Sequence, residues 1–488
     1  MDHCASVLLA FPEAKEITDN DVYHKAARQH VQKVERLIKE NAATFGGLAA
    51  QLLEHVNPSI NSISYLALLQ TLLLRDKVPQ TNQPLLSAIT TFLMTFDPRQ
   101  IRYVGAALSN LLALIGEGDL FPASVAVDLL ATALLRIDPT GSMLTSHHIS
   151  LVNLAYQTDN IEPIIPVIEK SIVFYPGMKG SSDSRHLCDM QLPPPAYITP
   201  ETGLTAKLNS SSVLQYDLLC GLCFIARSSW QQAFDALERV ISYPTKDGIC
   251  SNIMAKAHSK WVLVGLLLTG KTPTVPTLAW QGPQKAYGTL GKPYTSIGTA
   301  FEQETAETLN AEFDTLGQQF WAEEGNLGLM RLVLAHYQRW KIVGLRDVYT
   351  KISLAQIRTL TQSAETGVPL ATEAEVLELV LGMIRDGMLN GVVEQPEGQP
   401  AYLTFLSPTE ELSEAEFGAK MLQTAQRIKN LEPVVKATNE RLGTSREYLR
   451  YLVRDSKNKD KDVGRDPGFG GFDHSIEDED LMSGVLGP

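Results

Sequence analysis

The sequence predicts a mainly α chain: a helical-repeat, tetratricopeptide-like solenoid, then a winged-helix module and a long C-terminal helix. Three observations carry this. From about Val22 to Tyr175 apolar residues recur at steps of three and four, as in Leu66, Leu69, Leu73 and Leu108, Leu111, Leu112, Ile115, with almost no strand alternation. Two segments end alike, Thr95-Phe96-Asp97-Pro98 and Arg136-Ile137-Asp138-Pro139, 41 residues apart, a helix-pair period. Near the C-terminus two capped helices precede two short strand-like runs.

Composition agrees with a folded chain. Of 488 residues, 44% are hydrophobic and 20% charged, which suffices for a large core, gives a prior of about three domains, and excludes collagen-like and wholly disordered classes. The formal net charge of −13 repels phosphate backbones, so nucleic acid is not an expected partner. Cys4, Cys188, Cys220, Cys223 and Cys250 are too few and scattered for a disulfide framework, which indicates a reducing compartment. Asp2 stands where a secretion signal would carry Lys or Arg, and apolar stretches such as Trp261 to Leu268 fall short of the ~20 residues of a spanning helix. A soluble intracellular protein is expected, with no membrane partner.

In chain order, residues 1–176 read as N-terminal helical repeats. Residues 177–212, with Gly177, Gly180, Ser181, Pro193-Pro194-Pro195 and Ser210-Ser211-Ser212, read as a loop or insertion. Residues 213–325 read as tetratricopeptide-like repeats. There Asp217, Cys220, Gly221, Phe224, Ala233 and Leu237 fall at that motif's offsets, and Gly221 and Ala233 are small because two helices cross closely. A generic antiparallel helix pair is the alternative, and both mean scaffold. After a Gly/Pro-rich break from Gly270 to Pro293, helical periodicity returns through Phe301, Leu309, Phe313 and Phe320, then through Leu327, Met330, Leu334 and Tyr337.

Residues 326–406 hold the winged helix. Ser353-x-x-Gln356 and Thr372-x-x-Glu375 have capping-box spacing, so helices start at about Leu354 and Glu373, the second burying Val376, Leu379, Val380, Met383 and Ile384. The runs Val392 to Glu394 and Tyr402 to Phe405 flank Pro396-Glu397-Gly398 as a hairpin. Residues 407–453 read as C-terminal helices opened by a capping box at Ser407 to Glu410, striped by Leu412, Ala415, Ala419, Leu422, Ala425, Ile428 and Leu431, and kinked at Pro433. Residues 454–488, acidic and free of Lys or Arg after Asp466, read as a disordered tail.

No catalytic, cofactor or metal residues are expected. Gly265 to Thr272 matches the phosphate-binding G-x-x-x-x-G-K-[ST], but a helix precedes it and Pro273 and Pro276 stop any helix after it. The predicted structure is a helix end closed by Gly270. Cys220-x-x-Cys223 lacks a second pair and reads as two small apolar groups. His147-His148 reads as a satisfied or exposed pair. The helix from Glu373 to Asp386 carries Glu373, Glu375, Glu378 and Asp386 against Arg385 alone, which pushes a duplex away. Protein recognition through the hairpin edge is what remains.

Helical repeats, a winged helix and a long C-terminal helix resemble the PCI module of scaffold subunits in the proteasome lid, the COP-nine signalosome and a translation initiation factor complex. Gly325-Asn326-Leu327-Gly328-Leu329, Ile352-Ser353-Leu354-Ala355-Gln356-Ile357, Met383 to Gly387, Tyr216 to Pro244 and Gly291-Lys292-Pro293-Tyr294 resemble the signalosome third-subunit family over roughly residues 210 to 435. The resemblance implies a non-catalytic scaffold of the complex that removes the Nedd modifier from cullin-RING ubiquitin ligases, in cytoplasm and nucleus. It implies winged helices joined edge to edge, C-terminal helices in a shared bundle, and the first and eighth subunits as neighbours. Carried onto this sequence, the hairpin edge is Val392, Val393, Tyr402, Leu403 and Phe405, and the bundle face is Leu412, Leu422, Ile428 and Leu431. For each, filling the domain's own core is the alternative. Other readings are a proteasome-lid or initiation-factor subunit and a nucleic-acid-binding winged helix.

Overall fold

The structure is a computed structural model, and it describes residues 2–12, 19–75, 81–118, 120–176, 186–245, 249–276, 281–303, 305–395, 400–406, 414–444 and 448–454. The chain divides into two units, Met1–Phe417 and Gly418–Pro488. In the first, α1 (Asp2–Leu8), α2 (Asn20–Glu40), α3 (Ala42–His55), α4 (Ser62–Arg75), α5 (Gln83–Thr95) and a short α6 (Pro98–Ile101) lead into α7 (Gly105–Gly116), α8 (Ala123–Ile137), α9 (Ser146–Gln157) and α10 (Ile165–Ile168). After α11 (Pro194–Tyr197) come α12 (Ser210–Ala226), α13 (Trp230–Ile241), α14 (Asn252–Thr269), α15 (Gln281–Leu290), α16 (Lys292–Gln303), α17 (Ala306–Glu323) and α18 (Leu327–Gly344). One apolar core runs through all of this, from Leu8 to Ala364, because each helix buries a stripe only against its neighbours.

The two Asp-Pro signals do the same local work. Asp97 accepts from the Arg99 N–H at 2.9 Å and starts α6, while Asp138 accepts from Thr140 and Met143 N–H groups at the end of α8. Between α12 and α13 a Cβ on Gly221 would meet Leu237 at 3.0 Å, the close crossing expected of that glycine. Arg239 of α13 donates to the buried Asp217 of α12 at 2.9 Å.

Residues 186–209, expected as loop, run irregularly but are strapped to the N-terminal repeats. Arg99 donates to the Cys188 carbonyl, and the Arg102 guanidinium lies 3.6 Å from the Tyr197 ring centroid while donating to the Leu187 and Asp189 carbonyls. Gly105 and Thr202 approach so closely that a Cβ on Gly105 would lie 2.3 Å from the Thr202 carbonyl oxygen. The serines 210–212 belong to α12, capped by Asn209.

Two helical details differ from the sequence reading. The Gly/Pro-rich break contains α15, anchored by Tyr287, whose ring stacks on His258 at 4.4 Å and whose hydroxyl donates to the Ile241 carbonyl. Helix α17 breaks at Gly317 (φ 79°, ψ 152°), a conformation essentially reserved for glycine. The Trp321 indole N–H, beyond the break, donates to the Phe313 carbonyl at 3.1 Å.

The winged helix follows with β1 (Lys351–Ser353), α19 (Leu354–Leu360), α20 (Glu373–Arg385), β2 (Gly391–Glu394) and β3 (Tyr402–Phe405). Ser353 and Gln356 form the reciprocal capping box, and Thr372 accepts from the Glu375 N–H, so both helix starts lie where the spacing puts them. Strand β1 was not expected. It pairs antiparallel with β3 and makes a three-stranded sheet of order β1-β3-β2. A separate small core under this sheet contains Ile342, Ile352, Leu354, Ile357, Val376, Val380, Met383, Leu389 and Leu403. The last long helix, α21 (Glu414–Thr444), runs unbroken through Pro433, where a kink was expected. Leu412, the capping box at 407–410, the hairpin tip at 396–398, the 177–185 part of the insertion and the tail beyond 454 lie outside the described residues.

Candidate interaction surfaces

The sheet decides what the hairpin can offer. Strand β3 is central, hydrogen-bonded on both sides, so Tyr402, Leu403 and Phe405 do not present a free strand edge. Among the described residues, β2 is the hairpin strand with an unpaired side. The expectation of an edge made from both strands is corrected in that respect, because β1 occupies the second side of β3. The side-chain period of two divides the five candidates further. Leu403 is fully buried and pairs with Ile352 of β1 and Val393 of β2, and Val393 and Phe405 pack against the same core. Val392, 48% exposed, and Tyr402 lie on the other face. There the Lys351 ammonium sits 5.3 Å from the Tyr402 ring centroid and pairs with Glu394 of β2.

Helix α21 is different in kind. Its described side chains are all exposed, including Phe417, Met421, Leu422, Ile428, Leu431 and Val435. Phe417, Met421, Thr424, Ile428, Leu431 and Val435 follow one another at steps of four, three, four, three and four, the a and d spacing of a coiled-coil seam. Leu422, 70% exposed, stands about 100° round the helix from Met421 and so lies off the seam. A stripe of this length in water favours a partner helix, since burial is worth about 25 cal/mol per Å² of apolar surface.

The chemical motifs resolve as packing. Gly270 closes α14 with φ 69° and donates its N–H to the Leu266 carbonyl, and a Cβ there would sit 2.6 Å from the Trp340 ring. A Cβ on Gly265 would meet Pro273 at 2.6 Å. Both glycines of the phosphate-loop lookalike are therefore required by close packing. Cys220 and Cys223 are buried side by side on α12, where burial pushes both thiols up, Cys223 to about 12, which keeps them protonated. His147 meets Ser109 Oγ at 2.7 Å and His148 completes the cap at Thr145, with burial holding the two rings down to about 4 and about 3. Helix α20 keeps Glu373, Glu375 and Glu378 exposed, with Asp386 just beyond its end. Among the described residues no group of three His, Cys, Asp or Glu could hold a metal ion, and no helix is long and apolar enough to cross a membrane.

Sequence reasoning missed β1 and most of the seam. The signal for β1 was the alternation of Ile352 between two polar residues, too short to read; the signal for the seam was the heptad from Phe417 to Val435.

Helical repeats with a shared core, a winged-helix sheet with a core of its own and a long helix whose described side chains are all exposed fit the architecture of a PCI-type scaffold subunit. The comparisons with known proteins narrow the class. Residues 22–190 and 196–281 match the family model described as COP9 signalosome complex subunit 3, N-terminal helical repeats. The chain is 50% identical over 497 residues to COP9 signalosome complex subunit 3 of Neurospora crassa, with 99% of each chain covered. It is 29% identical to the subunit of the same name in Emericella nidulans, over 88% of this chain and 89% of that one. It is 26% identical to the Arabidopsis thaliana subunit, over 50% of this chain and 54% of that one. The chain belongs to the COP9 signalosome subunit 3 family.

Proposed function

We propose that this chain is a non-catalytic scaffold subunit of a signalosome, the assembly that removes the Nedd modifier from cullin-RING ligases, with the bond-breaking chemistry carried by another subunit. The observation that carries the reading is the exposed seam of α21, which marks an association helix. The outer side of β2 offers a second contact, through backbone pairing with a neighbouring strand, with Val392 and Tyr402 on its exposed face. The shared name of the three relatives supports signalosome subunits as the partners, ahead of a proteasome lid or initiation factor complex. The first and eighth subunits are the neighbours proposed, and cytoplasm and nucleus the location.

The test is affinity purification of the tagged chain from its own cells, read by mass spectrometry, beside Ile428→Glu/Leu431→Glu. The wild type is expected to return signalosome subunits and the variant to lose them at unchanged expression. Recovery of lid or initiation-factor subunits, or full retention of partners by the variant, would refute the proposal.

A further inference from the structure

Helix α2 has two opposed stripes. Tyr23, Ala27, His30, Val34 and Leu37 face the core at steps of four, three, four and three. The opposite stripe repeats the rhythm with Lys25, Gln29, Gln32, Arg36 and Lys39, flanked by Arg28 and Lys33, all exposed. From Lys25 to Lys39 it spans about 21 Å at 1.5 Å per residue. None of these five cations makes an ion pair with a described residue, and Asp21 at the start of the helix is engaged by His186 at 3.0 Å. Lys25 with Arg28, Lys33 with Arg36 and Arg36 with Lys39 are like charges at i, i+3, which repel along an isolated helix, and Glu35 and Glu40, at i, i+4 from Lys39 and Arg36, offset only part of that repulsion. A chain of net charge −13 gains no solubility from such a stripe.

We infer that the exposed face of α2 docks an acidic segment of another polypeptide, a contact separate from those of the sheet and of α21. Opposite charge removes the self-repulsion of the stripe, and the Gln29 and Gln32 amides can donate to carboxylates between the cations. Nucleic acid fits less well. The stripe holds no aromatic side chain for a base to stack on, and the chain as a whole carries a net charge of −13.

The experiment is fluorescence anisotropy on the full chain with labelled poly-glutamate of about 20 residues, which spans the stripe in extended or helical form. A DNA duplex of similar charge is the second probe. Binding of the peptide that weakens with salt is expected. Lys25→Glu/Arg36→Glu/Lys39→Glu is expected to lose about tenfold or more in affinity, while the charge-matched Lys285→Glu/Lys292→Glu/Arg331→Glu, at exposed sites elsewhere, retains it. The neutral Lys25→Gln/Arg36→Gln/Lys39→Gln, whose far-ultraviolet melt is expected to match the wild type, separates lost binding from lost folding and is also expected to bind more weakly. Absence of peptide binding at low salt, equal loss in the matched control, full binding by the neutral variant, or tighter binding of the duplex through the same residues would overturn the inference.

Discussion

Helices α14 and α21 are both apolar along much of their length, yet they behave as opposites. In α14, 12 of 18 residues are buried, from Met254 to Leu267, and helices α13, α16 and α18 pack around it. In the 31 residues of α21 no described side chain is buried. The first helix is stabilised by burial within its own chain, whereas the described apolar side chains of the second are exposed. The association proposed for α21 rests on that exposed apolar seam.

The sharpest way to break this comparison is to truncate one side chain on each helix. Trp261, 1% exposed and stacked on Phe234 at 5.2 Å, is expected to cost about 3–5 kcal/mol as Trp261→Ala, read as a lowered urea midpoint. Ile428→Ala is expected to move the midpoint of the free chain by less than about 0.5 kcal/mol. Equal losses would mean that α21 is packed within the chain.

Acid tests the same buried interior. His30, His147, His148 and His258, all nearly fully buried, are held down by burial to about 4, 4, 3 and 4. The unfolded rings take a proton near pH 6.5, so below that value the unfolded chain binds more protons than the folded one. Stability present above pH 6.5 is therefore lost as the pH falls toward 4, by up to about 1.4 kcal/mol per pH unit for each ring. Urea midpoints at pH 7 and pH 5.5 are expected to show the loss, and His258→Gln, on α14, to flatten it. A slope unchanged by that substitution would mean that the ring is solvated.

The smallest contrast lies at the end of α14. Gly270→Ala forces a left-handed φ on alanine and a methyl into Trp340, an expected loss of about 1–3 kcal/mol by thermal melting. Lys271→Ala, on the exposed neighbour, is expected to stay within about 0.5 kcal/mol and to leave ATP affinity unmeasurable in both proteins. A nucleotide affinity that depended on Lys271 would restore the phosphate-loop reading.

Much of the architecture was legible because its signals are local. Ser353 and Thr372 announce helix starts through their own hydroxyls, Gly270 a helix end through its own φ, and Gly221 a close crossing through the absence of a side chain. The hairpin was legible as two strands, but not its place in the sheet, because Ile352 of β1 lies 51 residues before its partner Leu403 and the strand is only three residues long. The strap from His186 to Leu208 reads as loop because its order comes from Arg99 and Arg102, far away in sequence. On α21, Leu422 and Ile428 were placed on one face, whereas the heptad seam runs through Ile428 and Leu422 lies about 120° round the helix from it.

By itself the sequence determined the helical periods, the caps, the charge that disfavours nucleic acid and the lack of a complete catalytic motif, since each depends on residues close together in the chain. Tertiary structure alone decided which strand is central, which face of the wing is inside and which apolar helix is left bare. Those outcomes depend on pairings between distant segments, and an apolar stripe carries the same pattern whether its cover comes from its own chain or from another.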